Sequence, residues 1–200
     1  VEHLKRQRER LVAHRRETDA MIEALDILLE DAMNDKALTV EEIGKIMGQA
    51  DFAVHQSEAE ERYGDTADWR ESRERTASWQ SADWQQNAER FHDIERRMID
   101  AIRDGAAPDS ERVAGLVEEH RAALSAFFPV TPAKHYIMSR GYIHDERFRD
   151  HYDSQQVGFA QWLADAIEAV ARQQGVDIEN PTWESALQTR KFDVSDTQHS

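Results

Sequence analysis

The residues most able to do chemistry lie in the second half of the chain. His135, His144 and His151 stand near Asp145, Asp150 and Asp153. Imidazole and carboxylate together could hold a metal ion. A helical metal site, however, needs its histidines on one face, four residues apart. His144 and His151 are seven apart, with no rigid element predicted to join them. Acid and base catalysis fares no better. The chain carries 40 Asp and Glu, but no pair stands isolated in an apolar run, which is what separates the pKa values of a catalytic pair. There is no cysteine, so thiolate nucleophiles, disulfides and Cys-based zinc sites are excluded. A nucleophile elbow, a phosphate-binding loop and a dinucleotide fingerprint are also missing. No enzymatic activity, metal or cofactor is expected.

What remains is binding chemistry. His120 falls at helical spacing between Leu116-Val117 and Leu124, which turns its imidazole into an apolar face. Its ring nitrogens must then find partners. Either it bonds a carbonyl or a Tyr hydroxyl inside the core, or it faces a cavity and bonds a ligand. Tyr152 poses the same question on the stripe of the last helix, just before Gln155-Gln156 and Phe159. Aromatic residues and Met gather beside helix breaks, where they can line a groove between helices. The candidate ligand-binding set is Tyr63, Trp69, Trp79, Trp84, His120, Phe127, Tyr136, Met138, Tyr142, Tyr152 and Gln156. For each aromatic taken singly, core packing is the competing reading.

The elements that must position these residues are all helices. Residues 2–33 read as one long helix with a heptad pattern. Leu4, Leu11, Thr18, Leu25 and Ala32 recur every seventh position, with Gln7, His14, Met21 and Leu28 between them. Such a polar helix needs a partner, and a dimeric coiled coil supplies one; packing on its own domain is the other option. Thr39-x-x-Glu42 is a capping box that opens a short helix ending at Gly48. Phe52–Arg62 forms the next helix. Gly64 in the left-handed conformation can end it, and Asp65 or Thr66 can cap its successor. Residues 82–104 follow as a long amphipathic helix, with Trp84, Ala88, Phe91, Met98 and Ile102 on one stripe. Asp109 or Ser110 opens another, stopped by Phe128-Pro129. Thr131-Pro132 starts a short one to about Arg140, and Asp145 a brief turn. Residues 152–174 are expected to be the last long helix, closed by Gly175. Beyond it, only Ile178, Trp183, Leu187 and Phe192 could anchor a polar tail. No strand is predicted.

Charge narrows the partners. The net charge is −15, yet residues 1–16 carry six basic side chains against two acidic ones, a net +4. The remaining residues therefore hold −19 and should repel phosphate, so they should bind nucleic acid poorly on their own. No apolar run approaches membrane-spanning length and no signal peptide is visible. No membrane contact is expected.

One stretch, EAEERYGDTADWRESRERT at residues 58–76, resembles the conserved segment of TipAS-type antibiotic-recognition domains. That segment reads close to E-x-x-E-R-W-G-D-T-x-x-Y/W-x-E-S-x-x-R-T, and Tyr63 replaces the usual Trp. Further similar segments keep order and spacing: Asp83-Trp84, Leu116 to Arg121, Phe127-Phe128-Pro129-x-Thr131-Pro132-x-x-His135, Asp145-x-Arg147-Phe148, Tyr152-Asp153 and Gly158 to Ile167. The likeness covers about residues 38–172, and residues 1–35 resemble the dimerisation helix of MerR-family transcription regulators.

The resemblance implies an all-α protein: a dimerisation helix at 1–37, a globin-like TipAS-type ligand-binding bundle at 38–175, and an extension at 176–200. It implies a cytoplasmic homodimer paired through residues 1–37. Promoter DNA would be bound only through a winged helix-turn-helix domain that is not among these residues. The ligand would be a bulky aromatic drug, small-molecule or peptidic, held in a cleft that the 39–76 helices close. In thiopeptide sensors a Cys beside the Pro-x-Ser/Thr-Pro turn captures the ligand covalently; Val130 stands there here, so binding should be non-covalent. A stand-alone drug-sequestering protein conferring resistance is the alternative function.

Overall fold

Caps and glycines decide where each helix begins and ends. The computed structural model describes residues 2–34, 38–48 and 52–183. Among these, every regular element is an α-helix, as expected. The chain forms two compact units, Val1–Arg90 and Phe91–Ser200.

The first unit opens with α1, Glu2–Asn34. Leu4, Leu11, Met21, Ile22, Leu25 and Leu29 along it are all more than half exposed. Of the heptad positions, Leu4, Leu11, Met21 and Leu25 therefore lie open, while Leu28 is half-buried. The capping box is present: Thr39 Oγ1 accepts from the Glu42 backbone N–H, and Glu42 Oε2 accepts from that of Thr39 at 2.7 Å. It opens α2, Val40–Ile46. Lys45 Nζ reaches Glu23 Oε1 on α1 at 2.6 Å; both side chains are well solvated, so this pair contributes about 1 kcal/mol at most.

Helices α3 (Phe52–Tyr63) and α4 (Ala67–Thr76) meet at the Gly64-Asp65-Thr66 joint. Thr66, not Asp65, is the cap: its hydroxyl accepts from the Trp69 N–H at 3.2 Å and donates to the Tyr63 carbonyl at 2.7 Å. Gly64 is not in the left-handed region, which corrects the expectation. It is required for a different reason. A Cβ there would stand 2.5 Å from the Glu60 carbonyl oxygen, to which the Gly64 N–H also donates. Helix α5, Ser81–Arg103, then runs from the first unit into the second. On its expected stripe, Trp84, Ala88 and Met98 are buried, and Phe91 and Ile102 half-buried.

The second unit continues with α6 (Glu111–Leu124), α7 (Pro132–His144), α8 (Glu146–Gln155) and α9 (Phe159–Gln173). α9 packs against α6, α7 and α8. Phe159, Leu163 and Ile167 from α9 join Ile94, Met98, Val113 and Val117 in the innermost core. Burying each large apolar side chain is worth roughly 1.5–3 kcal/mol. Arg140 fastens α7 to α9 by donating to the Ala164 carbonyl at 2.9 Å.

Three boundaries differ from expectation. α6 stops at Leu124, short of Phe128-Pro129, because the Ser125 hydroxyl donates back to the Arg121 carbonyl and accepts from the Val130 N–H, folding the chain into a turn. α7 runs past Arg140 to His144, and Asp145 caps a full helix rather than a brief turn. The single helix expected over 152–174 is two. Gln156 is extended and Gly158 is left-handed at φ 82°. Asp153 Oδ1 then accepts from the Ala160 N–H at 3.0 Å, serving the start of α9. Val157 at the break is 87 % exposed, off any buried face.

Of the proposed tail anchors, Ile178 packs on the core together with Val176. Trp183 stacks near Phe128 at 6.5 Å, with the Lys134 ammonium over both rings. Leu187 and Phe192 lie outside the described residues. Among the described residues no helix is long and apolar enough to cross a membrane.

Two glycines give opposite expectations. An added Cβ meets nothing within 4 Å at either Gly158 or Gly141, so only the backbone decides. Gly158→Ala should cost about 1–2 kcal/mol because of its positive φ. Gly141→Ala, inside α7, should stabilise by up to about 1 kcal/mol. Paired thermal or urea unfolding checks both signs.

Candidate functional site

The predicted ligand-binding residues divide between the two units. Tyr63, Trp69, Trp79 and Trp84 belong to the first. Tyr63 ends α3 and is half exposed, Trp69 on α4 is half-buried, and Trp79 packs edge-on against buried Trp84 with ring centroids 4.7 Å apart. The other seven belong to the second unit. Three of them, His120, Tyr142 and Tyr152, come together. The His120 ring lies 6.3 Å from that of Tyr142, which lies 5.2 Å from that of Tyr152. Tyr136 is buried with the Arg140 guanidinium 4.7 Å over its ring. Phe127 and Met138 are half-buried, on the turn after α6 and on α7. Gln156 ends α8 and accepts from Arg103 at 3.4 Å.

His120 answers the question it raised in an unforeseen way. It is 1 % exposed, and its Nδ1 lies 2.9 Å from Nε2 of His135. The partner is neither a carbonyl nor a Tyr hydroxyl, but a second imidazole. His135 is 2 % exposed and stacks beside it. One ring donates and the other accepts, so at least one must stay neutral. Phe91 meets His120 edge-on and closes the pair off. Tyr152 is likewise placed by another element than expected: it belongs to α8 and reaches Phe159 across the Gly158 turn. The Tyr142 and Tyr152 rings meet at an interplanar angle of 58°.

Glu95 completes this interior. It is 5 % exposed, accepts from Gln155 Nε2 at 3.0 Å, and has His151 Nε2 3.7 Å away. Nothing in the sequence reading singled it out, yet a signal was present. Glu95 falls between Phe91 and Met98 on the apolar stripe of α5. His135 had a signal too, since Thr131-Pro132 fixes the start of α7 and so its helical phase. Among the described residues, no group of three or more His, Asp and Glu side chains is placed to hold a metal.

Electrostatics follow from burial. Burial lowers the His120 pKa to about 4, with negative Glu95 pulling weakly the other way. Burial also drives His135 well below its ordinary value, aided by the charges of His120 and Arg121. Burial alone would raise Glu95; the nearby His151 imidazole and the hydrogen bond from Gln155 outweigh it and hold the carboxyl low. The Glu95 carboxylate beside it raises His151 against partial burial. Burial pushes both tyrosines up, so their hydroxyls stay protonated.

A surface groove of 320 Å³ lies elsewhere, between α5 and α6, lined by Arg97, Asp100, Arg112, Gly115, Leu116 and Glu119. Its lining is charged and holds none of the predicted residues. Paired guanidinium and carboxylate groups suit an apolar drug poorly.

The two kinds of histidine predict opposite pH trends. His120 and His135 have lowered folded pKa values, so their neutral burial supports the fold above about pH 6.5 and that support is lost as pH falls towards 4. For His120 the loss is on the order of 3 kcal/mol at most. His151 is raised, so its contribution is full below about pH 6.5 and lost as pH rises through its folded value. Between pH 7.5 and 5, His135→Gln should flatten the acid loss of melting temperature, and His151→Gln should steepen it.

The model of the TipAS antibiotic-recognition domain matches residues 55–170. Two curated relatives, the HTH-type transcriptional activators TipA of Streptomyces coelicolor and Streptomyces lividans, are each 31% identical over 170 residues, covering 84% of this chain and 67% of theirs. A solved structure of TipAS from Streptomyces lividans, in complex with nosiheptide, is described as part of a thiopeptide antibiotic multidrug resistance system. It aligns with a TM-score of 0.63 at 31% identity, over 70% of this chain and 98% of that one. By sequence over more than half its length, and by fold, the chain belongs to the family of TipAS antibiotic-recognition domains.

Proposed function

We propose that this chain is the ligand-sensing part of a transcription regulator and binds a bulky aromatic, antibiotic-like molecule without a covalent bond. The single observation that carries the reading is the match over residues 55–170, joined to 31% identity with a domain solved in complex with the thiopeptide nosiheptide. The non-covalent part rests on chemistry: the chain has no thiol, and Val130 is a buried, inert side chain. The exposed apolar stripe of α1 supports dimerisation through residues 1–37. Promoter DNA would then be contacted by a winged helix-turn-helix domain outside these 200 residues, and α1 would relay the state of the sensor to it. The α2–α4 segment is the natural moving part. Its helices are short, with Val54 and Tyr63 more than or about half exposed. A ligand shifts such an element only if it binds one arrangement better than the other.

The test is a titration of the protein with nosiheptide and a panel of other hydrophobic antibiotics, followed by tryptophan fluorescence and calorimetry. At least one compound should give a saturable change, and the intact mass after denaturation should equal that of the free protein. No response to any compound by either method would refute ligand sensing; a mass increase that survives denaturation would refute the non-covalent mechanism.

A further inference from the structure

Asn87 lies in the first unit, on α5, one helical turn after Trp84. At spacings of three and four, Trp84, Asn87 and Ala88 share one face of the helix, and all three are buried. Asn87 is only 7 % exposed, and among the described residues its Oδ1 has no hydrogen-bond partner. Leaving a buried amide oxygen unpaired costs roughly 1–3 kcal/mol. An apolar side chain of similar size would avoid that cost. The cost sits beside the Trp79–Trp84 pair, whose rings meet at 4.7 Å and 69°. This arrangement offers a ligand two kinds of contact: indole surface for a planar ring, and one acceptor in a dry setting. A buried acceptor strongly favours a partner that supplies an N–H or O–H, and penalises one that does not.

We propose that Asn87 is a specificity-determining residue of the drug site, accepting a hydrogen bond from an amide N–H of the ligand while the Trp79–Trp84 pair packs on an adjacent aromatic ring. Among aromatic ligands, the residue would favour those that carry an N–H donor at this position. The inference rests on the drug-sensing reading above and adds the group that selects among drugs. It also explains the unpaired oxygen. A stability cost tolerated in the free protein is what a residue kept for binding leaves behind.

The experiment compares Asn87→Leu with the natural chain in two measurements. Thermal unfolding without ligand should give an unchanged or higher melting temperature for the variant. Calorimetric titration with nosiheptide, a thiopeptide with amide N–H groups, should give at least about tenfold weaker binding. A hydrophobic antibiotic from the panel that lacks N–H donors should bind both proteins equally. If the variant binds nosiheptide as tightly as the natural chain, the role of Asn87 is refuted while drug sensing stands. If the variant melts well below the natural chain, Asn87 holds a structural hydrogen bond and the inference is again overturned. Should the natural chain bind no compound at all, drug sensing fails and this inference falls with it.

Discussion

The second unit is built around one constraint: a polar interior sealed off from water must satisfy itself. Glu95, His120, His135, Tyr142 and Tyr152 come from α5, α6, α7 and α8 and are all nine-tenths or more buried. Each finds its partner on another element or in another part of the fold. His120 on α6 hydrogen-bonds with His135 on α7 and Glu95 on α5 with Gln155 on α8, while the Tyr142 ring on α7 packs against that of Tyr152 on α8. Apolar packing tolerates small slides between helices; hydrogen bonds at 2.9–3.0 Å do not. The polar pairs therefore fix helix register, and α9 supplies the apolar mass that closes over them. The break at Gly158 is part of the same solution. One straight helix over 152–174 could not place Tyr152 against Tyr142 and also lay Phe159 to Val170 along the core.

That break was the largest feature hidden from the sequence. Tyr152 and Phe159 sit at a spacing of seven, which suits a continuous helix, and a single Gly is weak evidence against one. The deciding interaction was Asp153 capping Ala160, a contact made only once the chain has already turned. The local signals were clearer where the chemistry is local. The Thr39 capping box and the Thr131-Pro132 start are both written in adjacent residues, and both helices begin there. Gly64 shows the limit of that logic. Its position at a helix end is legible, but whether it serves by positive φ or by close approach depends on backbone geometry. The buried pairs follow the same rule. Periodicity reveals that His120 points inward; it cannot reveal that His135, fifteen residues on, points at it. Glu95 is hard to read from sequence because a charge on an apolar stripe is rarely buried, and only its partners on α8 make its burial tolerable.

The distribution of satisfied and unsatisfied groups separates scaffold from candidate binding surface. A group already hydrogen-bonded inside the core can serve a ligand only by breaking that bond, at a loss close to what the new one would give. By this measure His120 is engaged by His135, while Tyr142 and Tyr152 pack ring against ring. The first unit has the complementary character. Its aromatic residues include one half-exposed Tyr and two half-buried Trp, and its buried amide Asn87 keeps an unused acceptor. Its helices α2 to α4 are short, which makes their local opening inexpensive relative to that of a packed bundle.

On the reading proposed above, a chain without a thiol retains its ligand through contact area and hydrogen bonds. Association carries its own entropic cost, so only the surplus appears as affinity. Large aromatic side chains suit that task, because each offers much apolar surface for few frozen torsions. The proposed sensor would respond reversibly: occupancy would follow free drug concentration and decay with it, whereas a covalent trap records exposure until the protein is replaced. In the same framework, the acidic surface becomes part of selection. A net charge of −15 disfavours anionic molecules at long range and leaves neutral or cationic aromatic compounds as the ones that approach most readily.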